Sequence, residues 1–253
     1  MIVLRSAAFN VFFFAATFVM SVAASVVRLV NPPGVLAAAM AWARLILWGL
    51  RTIGGIRVEV IGAENLPHGA ALIASAHQSA FDTVVWLTLV PRCCYVFKKE
   101  LLRIPLFGHL IAAAGMIPID RSSGSAAMRT LLRGGDRAKR EERQIVIFPE
   151  GTRAPLDAAL PLQPGVAALA ARTGLPVIPV ATDSGRYWGR RAFHKHPGTI
   201  RIVVRPPLPA GLPRGELMRS LEQALRMEPS AGAYNVDKSV GSIAVPSADV
   251  PRA

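Results

Sequence analysis

The 253-residue chain predicts an α/β fold: a mixed sheet flanked by helices, preceded by an N-terminal apolar helical hairpin. Three observations carry this. Two apolar runs separated by Asn31-Pro32-Pro33-Gly34 open the chain, and that punctuation breaks a helix into a pair. From Ile56 onward, short apolar runs alternate with longer helical patterns, which argues a sheet with helices packed on it. The only cysteines, Cys93 and Cys94, are adjacent, so no disulfide framework stands in for a core. They read as small core residues of a strand in a reducing compartment.

The first run, Ser6 to Val27, is uncharged and carries Phe9, Phe12, Phe13, Phe14 and Phe18 between Arg5 and Arg28. It is long enough to cross a bilayer as a helix. The second, Val35 to Leu50, contains Arg44 with Trp42 and Trp48, which are interfacial residue types and make it amphipathic. Three readings stay open. The pair is a hairpin dipping into one leaflet beneath a cytoplasmic domain; or the first helix is a true span; or it is a signal peptide, given Arg5, the apolar stretch and Ser21-Val22-Ala23-Ala24. Anchoring is preferred, because the second apolar run has no place on a secreted soluble protein. Residues 1–52 are therefore expected to anchor the chain and 53–228 to form the α/β domain. The small, polar, proline-containing stretch 229–253 is expected to be a disordered tail.

Strands are expected at Ile56–Ile61, Ala70–Ala76, Cys93–Lys98, Gly115–Ile119, Gln144–Phe148, Val177–Ala181 and Thr199–Arg205. Helices are expected at Thr83–Val90, Pro105–Ala113, Ser123–Arg140, Pro164–Thr173 and Arg214–Met227. The chain is 52% apolar with a formal charge of +13. Such a balance suits an anionic membrane face or nucleic acid. The apolar excess favours the membrane, and without zinc spacing or a recognition motif no nucleic-acid partner is expected.

Chemistry concentrates in His77-Gln78-Ser79-Ala80-Phe81-Asp82, between an apolar strand and a helix. A histidine with a nearby carboxylate is a candidate base and orienting partner. On a continuous helix, five residues turn through about 140°, so the two would splay apart. They meet only if His77 lies in the turn and Asp82 in the first helical turn, with Ser79 as the N-cap. A second group is Phe148-Pro149-Glu150-Gly151-Thr152-Arg153, where Pro149 and Gly151 force a turn past a strand end. Arg153 is suited to hold a phosphate through its planar fork of donors, and Glu150 to fix that arginine or accept from a hydroxyl. Gly115 to Arg121 reads as a strand ending in a charged pair, with Arg121 a second phosphate candidate; Lys98-Lys99-Glu100 ends another with two cations. Leu175-Pro176-Val177-Ile178-Pro179-Val180 lines an acyl-chain channel or, preferably, forms an edge strand, since proline is confined to such places. His194 and His196 lie among Arg190, Arg191 and Lys195 and read as a basic surface patch. No nucleophile elbow, P-loop, dinucleotide fingerprint or zincin helix occurs.

Taken in order, the His77/Asp82 pair, Lys99 through Arg121, the Phe148–Arg153 turn and Val177–Val180 resemble the glycerolipid acyltransferase family, specifically 1-acyl-sn-glycerol-3-phosphate acyltransferases, over roughly Ile56 to Pro209. The resemblance implies that family's fold and transfer of an acyl chain from acyl-carrier protein or acyl-CoA, as co-substrate, to a lysophosphatidate hydroxyl. It makes His77 the base and Asp82 its partner, and assigns acceptor binding to Arg121, Glu150, Gly151, Thr152 and Arg153. It implies no cofactor and no metal, anionic membrane lipids as partners, and an inner-membrane location with the site on the cytoplasmic face. Two alternatives remain: another lysolipid acceptor, such as a lyso-ornithine lipid, or a membrane lipid-binding module without turnover.

Overall fold

The computed structural model describes residues 1–155 and 160–226. Two helices, α1 (Ile2–Val30) and α2 (Val35–Gly49), form a hairpin about the Pro32–Gly34 turn. Seven strands follow: β1 (Ile56–Ile61), β2 (Ala71–Ser75), β3 (Cys93–Lys98), β4 (Ile117–Ile119), β5 (Gln144–Ile147), β6 (Val177–Thr182) and β7 (Gly198–Val204). Five further helices are α3 (Phe81–Leu89), α4 (Gly108–Ala113), α5 (Ser125–Arg140), α6 (Gly165–Thr173) and α7 (Arg214–Leu225). Each expected strand is present to within two residues, and the mixed sheet flanked by helices stands as read. The tail expected at 229–253 lies outside the described residues.

The sheet order is β1-β7-β6-β2-β5-β3-β4. Strands β2 to β6 run parallel, β7 runs antiparallel to β6, and β1 parallels β7. Five strands therefore end at one edge, where open α/β sheets place their ligands. The sheet is covered on both faces, which is why its central strands read as continuous apolar runs. On β2, Ile73 joins Phe81, Trp86, Ile46 and Phe9 in one cluster, while Leu72 and Ala74 join Leu131, Leu169 and Leu221 in the other. The hairpin and α3 thus cover one face, and α5, α6 and α7 the opposite one. Arg143, buried, donates to the carbonyls of Cys93 (2.7 Å) and Ala114 (2.8 Å), tying β3 to the turn before β4.

The hairpin is part of the core. Phe9 is fully buried and meets Trp188 edge-on at 5.3 Å, and Arg5 Nε donates to the Ile53 carbonyl at 2.9 Å. Near the other end of α1, Ser25 Oγ lies 3.1 Å from His109 Nε2 on α4. The helices close tightly where Gly49 faces the Phe12 ring, which leaves no room for a Cβ. The outer face of α1, with Leu4, Val11, Phe14, Phe18 and Leu29, is exposed. By length and composition, Ile2–Val30 and Pro32–Gly54 are each able to cross a membrane.

Two expectations are corrected. Val177–Val180 is no edge strand: β6 is buried throughout and lies between β2 and β7. Pro179 is tolerated because it sits just outside the antiparallel register with β7, giving only its carbonyl, to Arg205 N (2.9 Å). Lys195 is no surface residue: it is 3% exposed, with Nζ donating to Asn10 Oδ1 on α1 at 2.7 Å.

Candidate active site

The turn from β2 into α3 is built around one carboxylate oxygen. Asp82 Oδ2 accepts from the amides of Gln78 (2.7 Å) and Ser79 (2.8 Å) and lies 3.1 Å from His77 Nδ1. A carboxylate only accepts, so Nδ1 carries the hydrogen of neutral His77 and Nε2 keeps its lone pair. The five-residue spacing follows: Asp82, in the first helical turn, reaches back over the turn that holds His77. The residue flanking α3 is Ala80 and not the expected Ser79, whose Oγ instead accepts from Phe81 N at 3.1 Å within the turn. The imidazole is 12% exposed and the carboxylate 2%.

The turn after β5 closes on the same place. Gly151 N donates to Phe148 O at 3.0 Å, and Gly151 takes φ +72°, a conformation that favours glycine. Glu150 Oε2 accepts from the His77 amide at 2.8 Å, while Ala154 N donates to the His77 carbonyl at 2.7 Å. Both backbone polar groups of His77 are thereby held by this turn. Its ring stacks on Phe148 at 4.1 Å, and Phe148 in turn stacks on Tyr95 at 6.2 Å.

Burial pushes the Glu150 carboxyl up to about 7; the His77 amide opposes the shift and the Asp82 charge adds to it. Arg121 is exposed beyond β4, and its guanidinium donates to the Gly151 carbonyl. Arg153 is half-buried, and burial holds its guanidinium below the usual value; Asp82 pulls the other way, and Arg190 and Arg191 add their repulsion. Contacts thus unite His77, Asp82, Glu150, Gly151 and Arg121. Arg153 lies within the field of Asp82, and Thr152 is exposed on the loop. Such an arrangement presents an oriented imidazole beside two cations at the open end of a parallel sheet. No group of three or more histidine, cysteine, aspartate or glutamate side chains among the described residues is placed to hold a metal ion.

A family model described as Acyltransferase matches residues 57–183, half of the chain and every residue of this site. The chain belongs to the acyltransferase family. Among its relatives is the 1-acyl-sn-glycerol-3-phosphate acyltransferase of Pseudomonas aeruginosa, 39% identical over 169 residues, which are 67% of this chain and 66% of that one. The human 1-acyl-sn-glycerol-3-phosphate acyltransferase alpha is 30% identical over 66% of this chain and 60% of its own. The matches therefore span somewhat less than two thirds of these relatives. The crystal structure of the 1-acyl-sn-glycerophosphate acyltransferase PlsC from Thermotoga maritima shares the fold, with a TM-score of 0.72 and 22% identity over 89% of this chain and 95% of that one.

Two readings of the acyltransferase site are revised by its geometry. Glu150 pairs with no arginine among the described residues; its Oε2 holds the His77 backbone. Asp120 and Arg121 do not pair with each other: Asp120 lies 3.7 Å from Lys99 and accepts from Ser122 N at 3.1 Å, which frees Arg121 to reach Gly151. Two features had no role assigned from the sequence: Gln78, whose Oε1 accepts from Gly185 N at 3.1 Å, and the Phe148–Tyr95 stack behind His77. Nothing local marks either; both arise from strands distant in the chain.

Glu150 carries a testable pH dependence. An unfolded glutamate loses its proton near 4.5, whereas folded Glu150 keeps it to about 7, so between these values the native state binds the extra proton. The associated stability is complete below about pH 4.5 and is lost as pH rises through about 7. In Glu150→Gln the amide oxygen still accepts from His77 N and nothing ionises. The Tm of this variant minus that of wild type is expected to rise across that window in melts of detergent-purified protein. A difference that stays constant with pH refutes the assignment.

Proposed function

We propose that this acyltransferase moves a fatty acyl group from a thioester, acyl-carrier protein or acyl-CoA, to the free hydroxyl of lysophosphatidate, giving phosphatidate. The observation that carries the reading is the contact between the two turns, which sets the His77–Asp82 pair against the loop that bears Glu150, Gly151, Thr152 and Arg153. Neutral His77 takes the acceptor's hydroxyl proton at Nε2 as the oxygen attacks the thioester carbonyl. The carbon–sulfur bond breaks, and the leaving thiolate recovers that proton from the imidazolium. Asp82 fixes the tautomer and stabilises the imidazolium. Such base catalysis contributes typically ~10²–10⁴-fold. Arg121 and Arg153 hold the acceptor phosphate and so bring its hydroxyl to His77, the effect of positioning on rate. Nothing in the route needs an acyl-enzyme, and buried Cys93 and Cys94 are in no position to form one.

The hairpin supports an anchor lying in one leaflet. Residues near both ends of α1, Ser6 and Ser25, contact the α/β domain, so the helix lies along that domain rather than leading away from it. Its exposed outer face adjoins α4, and Leu101, Ile104, Leu106 and Phe107, ahead of α4 and past the end of β3, extend the apolar surface toward the site. A lysolipid in that leaflet reaches the site without leaving the bilayer. The reading extends to the cytoplasmic face of the inner membrane, with residues 1–52 as the anchor of the 53–228 domain.

The test offers purified full-length protein a labelled acyl thioester and a panel of lysolipids, with identification of the products. Phosphatidate from lysophosphatidate is the expected result. Turnover on another lysolipid alone, a lyso-ornithine lipid included, overturns the acceptor, and binding without turnover on any of them overturns the enzyme.

A further inference from the structure

The segment from Asp183 to Pro197 leaves β6 at the edge where His77 lies, and it is fastened on both sides. Toward the site, Gly185 N donates to Gln78 Oε1 at 3.1 Å, and Asp183 accepts from Arg201 N at 2.7 Å. Toward the hairpin, Lys195 N donates to Ser6 Oγ at 2.9 Å, Lys195 Nζ donates to Asn10 Oδ1 at 2.7 Å, and Trp188 meets Phe9 and Phe13 edge-on at 5.3 and 5.6 Å. Lys195 Nζ also donates to the carbonyls of Ala192 (3.0 Å) and Phe193 (3.1 Å), so the short turn between the two fastenings is cross-braced. That turn carries Arg190 and Arg191, both exposed, and holds Arg191 at φ 55°, the left-handed region that a branched-chain or long side chain rarely adopts. Backbone strain held in place by surrounding structure clusters at ligand clamps. Just beyond, Phe193 is 48% exposed, and its carbonyl accepts from Asn10 Nδ2 of α1 at 3.2 Å. The two arginines therefore stand between an apolar helix face suited to a bilayer and the half-buried Arg153. Arg190 and Arg191 repel the Arg153 guanidinium, and the carboxylate that attracts it, Asp82, is already committed to His77 and two amides. An anion relieves that repulsion.

We propose that Arg190 and Arg191 form an anion-capture subsite at the rim of the His77 site, which takes the phosphate of an anionic lysolipid at the bilayer surface and passes it to Arg153. The proposal rests on the acceptor reading above and adds where headgroup charge is selected. The turn is rigid, so the subsite is preformed, and its link to α1 sets its height against the leaflet. Acceptors without a negative headgroup gain nothing from it.

The experiment uses full-length protein in neutral detergent micelles doped with lysophosphatidate, or with uncharged monoacylglycerol as the reference lipid. It compares wild type, Arg190→Ala/Arg191→Ala, Arg153→Ala, and Arg129→Ala/Arg133→Ala, which removes equal charge from exposed positions on the opposite helical layer. Both lipid binding and steady-state transfer are measured. Loss of two exposed ion pairs is expected to weaken lysophosphatidate binding and raise its KM roughly tenfold, with kcat within about twofold of wild type. Monoacylglycerol binding is expected to be unchanged, and the α5 double variant to behave as wild type. Equal losses in both double variants mean a general surface field and overturn the subsite. An unchanged KM overturns it, as does a fall in kcat alone. If wild type binds lysophosphatidate through Arg190 and Arg191 yet transfers nothing to it, the acceptor reading fails and the subsite stands.

Discussion

His77→Ala is expected to lower kcat by roughly 10²–10⁴-fold while the protein stays folded. The stability half of that expectation comes from what remains after the ring is removed. Asp82 Oδ2 keeps the amides of Gln78 and Ser79, and the main chain at residue 77 keeps Glu150 and Ala154. The turn is thus held by four bonds that do not involve the imidazole. Lost are one hydrogen bond and the stack on Phe148, together about 1–2 kcal/mol. The activity half follows because, among the described residues, both carboxylates in contact with His77 are committed: Asp82 to two backbone amides and Glu150, through Oε2, to the His77 amide. Kinetics on the labelled thioester, with melting curves on the same preparation, check both. Retention of more than about a tenth of wild-type turnover sinks the base assignment, since general-base contributions are not that small.

Much of this site was legible in the chain because its parts lie at strand ends. Strand β2 announces itself by an apolar run interrupted only by Ser75, and His77 is the first residue with a ring that such a run cannot bury comfortably. Pro149 and Gly151 mark the second turn in the same way. Parallel strands must end at a common edge, so two such turns face one another once the sheet is granted. Which group touches which was not legible. Glu150 was given a choice of Arg153 or a hydroxyl, and a backbone amide at 2.8 Å satisfies this half-buried acid without the arginine. Asp120 was paired with its neighbour Arg121, whereas adjacent side chains past a strand end point apart: Asp120 caps its own turn through Ser122 and faces Lys99, and Arg121 reaches Gly151. Pro179 misled for a physical reason too: proline argues for a sheet edge, yet here the missing donor falls where the β7 ladder has already ended. Lys195 shows the same limit, since a lysine among cations and histidines carries no local sign that a serine and an asparagine from the first helix will enclose it. Contacts between residues far apart in the chain decided Glu150, Pro179 and Lys195, and a local turn decided Asp120.

Asp82→Asn is expected to reduce kcat by about 10²-fold or more without raising the acceptor KM or moving the Tm far. Two backbone donors, Gln78 N and Ser79 N, aim at the position of Oδ2, and they select the orientation in which the new amide presents its oxygen there. His77 Nδ1 then still finds an acceptor, so tautomer and ring orientation survive. What disappears is the negative charge that stabilises the imidazolium formed when the acceptor hydroxyl gives up its proton. The substitution therefore separates charge from geometry. Asp82→Ala removes both, and it also strips the acceptor from the amide of fully buried Ser79, a loss of about 1–3 kcal/mol for each orphaned donor. The alanine variant should thus melt lower than the asparagine variant while turning over no faster. Neither substitution removes a group from the phosphate contacts proposed for Arg121 and Arg153, and losing the Asp82 charge that acts on Arg153 leaves that guanidinium freer for the acceptor phosphate, so acceptor KM should not rise. Wild-type turnover in Asp82→Asn, with only the alanine variant impaired, would reduce this carboxylate to a clasp on the β2–α3 turn and leave His77 to act without an ionic partner.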